Sequence, residues 1–422
     1  MHVTYQKPGN VLNNQPLSLK KILIAGGLLV TLSMGIRHGF GLFNLSITQS
    51  NGWGRETFAL AIALQNLTWG LTQPLFGALS DRLGSFKILW IGGLLYAIGL
   101  AGMSIASSPL IFILFTGLII GIAQSCTTYI VVYGVIGRNC PQEKRVWAMG
   151  VAAAMGSFGQ FLMIPVDQTL ITYLGPQDAI LALSTLAMLI LPLAYLLREN
   201  KAIALSKNNE QTAIQAIKEA FKEKSFLLII LGYFVCGFQV VFIGVHFPAY
   251  LRDMSKIYSG ISNPEIATIA LALIGLFNVL GTYYAGVLGQ KIPKRLILAA
   301  IYVSRSIAIS IFLLLPISIN SIYLFAAVMG ILWLSTVPIT NALITQIFGV
   351  KYMAMLSGFA FLSHQIGSFL GVYLGGYLYD RVGNYNLVWL ISIALGLFAG
   401  LVNLPIKEKA LIRPTTPELS NA

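Results

Sequence analysis

An arginine stands about fifteen residues into the first long apolar stretch of this chain, with no acid near it in sequence. A guanidinium in hydrocarbon costs roughly 2.5–3.5 kcal/mol on insertion scales, so Arg37 is expected to face a cavity or a partner. Its planar fork matches a carboxylate through two parallel hydrogen bonds, which makes anion binding the chemistry to expect of it. Asp167 is the only acid inside the apolar stretches that could pair with it. The competing reading is therefore an Arg37–Asp167 pair, or an arginine satisfied by helix carbonyls.

Two histidines, His246 and His364, lie in later apolar stretches. A neutral imidazole can carry a proton near physiological pH, and a protonated one can hold a carboxylate. Packing against a neighbouring helix is the plainer role for each. His38 follows Arg37 directly and so points about 100° away around a helix, which makes it the weaker candidate. Gln365, Asn278 and Asn341 are polar groups inside apolar stretches and are expected at the same site; some such groups only bridge helices. Arg305, about ten residues into its own stretch, is a second costly cation. No glycine loop for phosphate, no metal-spaced His/Cys cluster and no nucleophile with a base occurs, so neither an enzyme nor a cofactor is expected. Cys126, Cys140 and Cys236 are too few and too scattered for a disulfide framework or a metal site.

The elements that must position these residues are twelve apolar stretches, at about 22–44, 57–79, 87–107, 110–137, 147–170, 178–197, 225–250, 266–289, 295–315, 320–347, 353–378 and 386–405. A hydrocarbon core of roughly 30 Å takes about 20 apolar residues per helix, and backbone inside it must be hydrogen-bonded within its own segment. The composition, 56% hydrophobic and 10% charged, agrees with a polytopic all-α membrane protein. Of its 27 Lys and Arg, all but Arg37 and Arg305 fall in joints or tails. Alternating the joints puts only Arg55, Arg252, Lys256 and Arg381 on one side of the membrane and all the others on the opposite side. Such a bias places both termini in the cytoplasm, and it explains the net charge of +13 without any nucleic-acid partner. The first stretch reads as an uncleaved helix and not as a signal peptide.

The joint at 198–224 splits the helices six and six. The expected organisation is a cytoplasmic tail (1–21), a first six-helix bundle (22–197), a linker (198–224), a second bundle (225–405) and a cytoplasmic tail (406–422). Within the linker, Ile214, Ile217 and Phe221 recur at helical spacing, as in a short amphipathic surface helix; a solvated linker is the alternative. An internal echo relates the halves. The joint after the second stretch runs Gly77, Leu79, Asp81, Arg82, Gly84, Lys87, and that after the eighth runs Gly286, Leu288, Gln290, Lys291, Lys294, Arg295. Parallel six-helix repeats around a central cavity are a known transporter plan.

That first joint resembles the signature loop of the major facilitator superfamily, G-x-L-x-D-R-x-G followed by basic residues. Gly77, Leu79, Asp81, Arg82 and Gly84 match, while Ser85 and Phe86 depart from the basic pair. The resemblance implies two pseudo-symmetric six-helix bundles and gives Asp81, and with it Arg82, the role of a latch between conformations. In that superfamily the third helix of each triplet is peripheral, which implies packing or gating for Arg305 on the ninth. Gly35, Arg37, Phe40 and Gly41, then Trp53, Gly54 and Arg55, together with Val245-His246, Pro338, Asn341, His364 and Gln365, resemble the monocarboxylate-porter branch, to which the oxalate–formate antiporter is related. That branch's mammalian members carry an Asp and an Arg in span 8, where this chain has Asn278 and Thr282; the loss of this coupling pair counts against simple lactate–proton symport. The drug-exporter signature of span 5 is also missing.

The function expected is secondary transport of small organic anions, carboxylates foremost, across the cell inner membrane by alternating access. Arg37 would hold the anion, and a proton is the candidate coupling ion. Efflux of a larger metabolite, such as a carboxylate siderophore or a drug, is the alternative. The expected partners are the anion, the coupling proton and the lipid bilayer. A monomer is the expected state, although nothing in the sequence fixes it.

Overall fold

The computed structural model describes residues 17–53, 55–199, 211–255, 257–258 and 265–411, and every regular element among them is helical. Numbered as membrane spans, the helices are 1 (Leu19–Asn51), 2 (Arg55–Leu83), 3 (Ser85–Ser104), 4 (Pro109–Asn139), 5 (Gln142–Leu174) and 6 (Pro176–Leu196) in the first half. The second half has 7 (Lys224–Ser255), 8 (Glu265–Leu288), 9 (Lys294–Leu314), 10 (Ile319–Phe348), 11 (Met353–Val382) and 12 (Asn386–Asn403). Eleven contain a segment apolar enough to cross a membrane. Span 2 is the exception, because Gln65, Asn66, Thr68, Thr72 and Gln73 interrupt its apolar run. Those groups are used inward: Gln73 Nε2 donates to the Ser125 carbonyl at 3.0 Å and Gln65 Nε2 to the Thr116 carbonyl at 2.9 Å, both on span 4.

Two spans expected to be continuous are broken at matching places in the two halves. Span 4 passes through a π-turn at Leu114–Ile119 and breaks at Thr128, whose backbone is extended. Span 10 breaks between its segments Ile319–Leu332 and Thr336–Phe348. A broken ladder inside a membrane is tolerated where side chains take over the freed backbone groups. In span 10, Asn278 Oδ1 accepts from the Leu334 amide at 3.0 Å, while Arg305 donates to the carbonyls of Leu332 and Trp333.

Spans 1 and 5 pack together, as do 7 and 11, and the halves meet where span 2 lies on span 11 and span 5 on span 8. Glycines allow those crossings. A Cβ on Gly150 of span 5 would lie 2.7 Å from the Gly286 Cα of span 8, and one on Gly358 of span 11 would lie 2.7 Å from the Pro74 Cα of span 2. Gly77 presses still more closely on the backbone at Ala354, where a Cβ would collide with the carbonyl oxygen. All three contacts lie toward the end that carries the basic joints, so the halves are closed there. Gly84, at φ 87° in the short joint between spans 2 and 3, takes the left-handed conformation that favours glycine.

In the linker, Ala213–Lys222 is the amphipathic helix, closed by a capping box between Thr212 and Gln215. Lys351 Nζ and Tyr352 Oη both donate to the Gln211 carbonyl, at 2.8 and 2.9 Å, which ties the helix to the second half. The remainder of the linker, 200–210, and both tail ends lie outside the described residues.

Candidate functional site

Between the halves, beyond the closed basic end, lies a cavity of about 430 Å³. Spans 1, 2, 4, 5, 7, 8, 10 and 11 contribute to its wall. Arg37 lies on that wall. Its Nη2 donates to Asn66 Oδ1 of span 2 at 2.5 Å, and the guanidinium sits 4.8 Å over the Trp69 ring. Its Nε is buried and has no hydrogen-bond partner among the described residues. One donor, Nη2, is thus spent on Asn66.

Asp167 does not pair with it. The carboxylate is fully buried, and neither oxygen has a hydrogen-bond partner among the described residues. It presses on Gly39, where any Cβ would collide with it. Gly39 follows Arg37 by two residues, about 200° around the helix, so Asp167 meets the opposite side of span 1. The pair considered from sequence is absent, and Arg37 is the one Lys or Arg on the cavity wall among the described residues.

His364 and Gln365 of span 11 also line the cavity. Gln365 Nε2 reaches across to the Asn66 carbonyl at 3.1 Å, so the residue beside Arg37 is held from both halves. His364 Nδ1 lies 3.3 Å from Gln365 Oε1, and its Nε2 has no partner among the described residues. Below them runs an aromatic floor. Trp69 packs against Phe361 at 4.6 Å, Phe361 stacks on His364 at 5.4 Å and 10°, and His364 meets Tyr233 at 4.9 Å.

The other residues expected at the site are placed elsewhere. His246 is off the cavity wall: its Nε2 pairs with the Val372 carbonyl of span 11 at 2.9 Å, among Phe242 and Tyr385. Asn278 bridges spans 5, 8 and 10, donating to Ser157 Oγ at 2.9 Å and accepting from Leu334. Asn341 turns back on its own helix, to the Val337 carbonyl at 2.8 Å. Each has a local backbone or side-chain partner that holds it in the packing, the plainer alternative noted for such groups. Arg305 is fully buried and clamps the span 10 break, with Gln239 Oε1 at 3.4 Å as a further acceptor.

At the basic end, Asp81 is buried between two partners. Oδ1 meets Arg138 Nη1 of span 4 at 3.1 Å, and Oδ2 accepts from the Met355 amide of span 11 at 2.9 Å, which joins the halves. Arg138 also holds Glu199, through Nε at 3.0 Å and Nη2 at 2.9 Å. Burial pushes the Glu199 carboxyl up, but Arg138 and Asn139 hold it below the ordinary range. Arg82 points to solvent and makes no ion pair among the described residues. The sequence pattern therefore names the acid, whereas its cation comes from span 4.

A family model described as Major Facilitator Superfamily matches residues 23–371, with a second match over 258–419. The chain belongs to the Major Facilitator Superfamily. The uncharacterized MFS-type transporter YcxA of Bacillus subtilis is 22% identical over 396 residues, covering 90% of this chain and 93% of the relative. Monocarboxylate transporter 13 of Rattus norvegicus is 25% identical over 396 residues, covering 89% of this chain and 86% of the transporter. Among solved structures, the E. coli fucose:proton symporter FucP superposes with a TM-score of 0.68 at 14% identity, over 90% of this chain and 97% of FucP. The proton:xylose symporter XylE gives the same score, 0.68, at 17% identity over 91% of this chain and 94% of XylE. At such identities these structures establish the fold alone. This chain is an MFS transporter and a multi-pass membrane protein, and its named relatives are transporters, not enzymes.

Proposed function

We propose that this protein is a secondary active transporter of small organic anions, carboxylates foremost, across the cell inner membrane. The observation that carries the proposal is Arg37, a cavity-lining guanidinium with one donor spent on Asn66 and no acid partner among the described residues. Relatives named as monocarboxylate transporters support the same substrate class. The bias of basic residues puts both termini and the linker in the cytoplasm. On that orientation the closed basic end is the cytoplasmic gate, and this conformer presents its cavity to the outside. Asp81 is the latch of that gate through Met355, with Arg138 as its cation. His364, beside the site with a free Nε2, is the proton-carrying candidate; His246 is not part of the site.

Export of a larger anionic metabolite uses the same arginine, and a cavity of about 430 Å³ leaves room for one. Uptake and counterflow of radiolabelled carboxylates in proteoliposomes separate these readings. The proposal expects saturable carboxylate movement that a proton gradient accelerates. Movement of neutral or cationic solutes with no carboxylate among the substrates would overturn it.

A further inference from the structure

The cavity wall around Arg37 includes an aromatic run, Trp69, Phe361, His364 and Tyr233, with successive ring centroids 4.6, 5.4 and 4.9 Å apart. The same wall carries aliphatic side chains, Val241, Leu271 and Ile274. The cavity, at about 430 Å³, falls in the range of pockets that enclose ligands of drug size, about 300–1,000 Å³. A two- or three-carbon acid would occupy a small part of it and leave the rings and the aliphatic wall unused. A dicarboxylate would find no second Lys or Arg for its other charge, since none lines the wall among the described residues.

We propose that the substrate is a monocarboxylate bearing a flat unsaturated ring, its carboxylate held by Arg37 and its ring laid along the Trp69–Phe361 floor. This rests on the anion-transport reading and names the substrate class of the same cavity. The guanidinium already sits face-on to Trp69 at 4.8 Å, so a carboxylate that reaches Arg37 brings its attached ring to the edge of the aromatic floor. Two such rings prefer offset or edge-to-face contact at centroid separations of about 4.5–7 Å, which a floor built of staggered rings offers. The two halves each supply part of the floor, Trp69 from span 2 and Phe361 from span 11. A bound ring therefore touches both sides of the interface that must separate during transport.

The test is calorimetric titration of the full-length protein in detergent with benzoate, phenylacetate, cyclohexanecarboxylate, acetate, L-lactate, terephthalate and benzamide. Benzoate and phenylacetate should bind at least about tenfold more tightly than acetate or lactate, the gain of one good ring contact. Benzoate should also bind more tightly than the puckered cyclohexanecarboxylate, and terephthalate more weakly than benzoate. Trp69→Leu and Phe361→Leu should each shrink the benzoate-to-cyclohexanecarboxylate ratio toward one. Equal affinities for acetate and benzoate would overturn the ring assignment while leaving the anion site standing. So would a ring preference that survives in both leucine variants. Benzamide binding as tightly as benzoate would instead overturn the anion site itself, and no binding of any acid would overturn both.

Discussion

Replacing Gly150 with alanine tests whether the closed basic end is one of two working conformations. The added methyl would sit 2.7 Å from the Gly286 Cα, 3.0 Å from the Thr282 carbonyl oxygen and 3.1 Å from the Gly286 nitrogen. Carbon atoms rest at about 3.5–4.0 Å, so spans 5 and 8 must part by about 1 Å at this crossing. All three obstacles are backbone atoms or lie next to them, and no side-chain rotation relieves them. Overpacking of this kind costs about 1–3 kcal/mol. The cost falls on the conformer in which the two glycines touch and vanishes once the halves separate at that end. The equilibrium should shift by that amount, roughly 5- to 150-fold, toward the conformer open at the basic end. Spin labels on otherwise cysteine-free protein at Leu83 and Lys351, one on each half, report the separation by pulsed electron resonance. Gly150→Ala should enrich the long-distance population, and the double variant with Gly286→Ala should enrich it further. A distance distribution unchanged in both variants would mean that the crossing does not open, and the rocking of the halves would have to be abandoned.

Two further predictions concern the charged groups outside the cavity. Asp81 joins the halves as a carboxylate, taking Arg138 Nη1 at 3.1 Å and the Met355 amide at 2.9 Å. Asp81→Asn, which loses the charge that holds Arg138, should enrich the long-distance population of the same spin-label pair and slow transport; an unchanged distribution would remove Asp81 from the latch. Arg305→Met should cost about 2–5 kcal/mol in denaturant unfolding, since it strands the Leu332 and Trp333 carbonyls in the membrane, with ligand preference retained. A variant of wild-type stability would show that the span 10 break needs no clamp.

The helices were legible because each must satisfy its own backbone in hydrocarbon, so length and apolarity report them directly. Span 2 was found despite its glutamines and asparagine, since long apolar runs flank them. The breaks at Thr128 and Trp333–Ser335 were not legible: what stabilises the second is Arg305 and Asn278 arriving from other spans, which no local pattern encodes. Arg37 was legible as an isolated cation in an apolar helix, and so was Asp81 from its motif. Arg138 and Glu199 were hidden among the many charges that end spans, although each stands at the terminus of its own. Trp69, Phe361 and Tyr233 were passed over because aromatic residues are common in membrane helices, and only tertiary packing shows that these three share a floor. His246 and Asn278 show how a polar group inside a span can be read two ways. A polar group inside a span needs a partner, and each found one in a neighbouring helix instead of the cavity.

The central claim is that Arg37 binds the substrate's carboxylate, and thermal stability with and without ligand tests it most directly. A ligand at 100 times its dissociation constant adds about 2.7 kcal/mol to the wild-type protein. Arg37→Ala should insert and fold, because the guanidinium closes no ion pair, yet lose the stabilisation by carboxylates entirely. Arg37→Lys should keep the charge without the two-point geometry and respond only at higher concentration. A folded Arg37→Ala protein stabilised by carboxylates as strongly as the wild type would contradict the account.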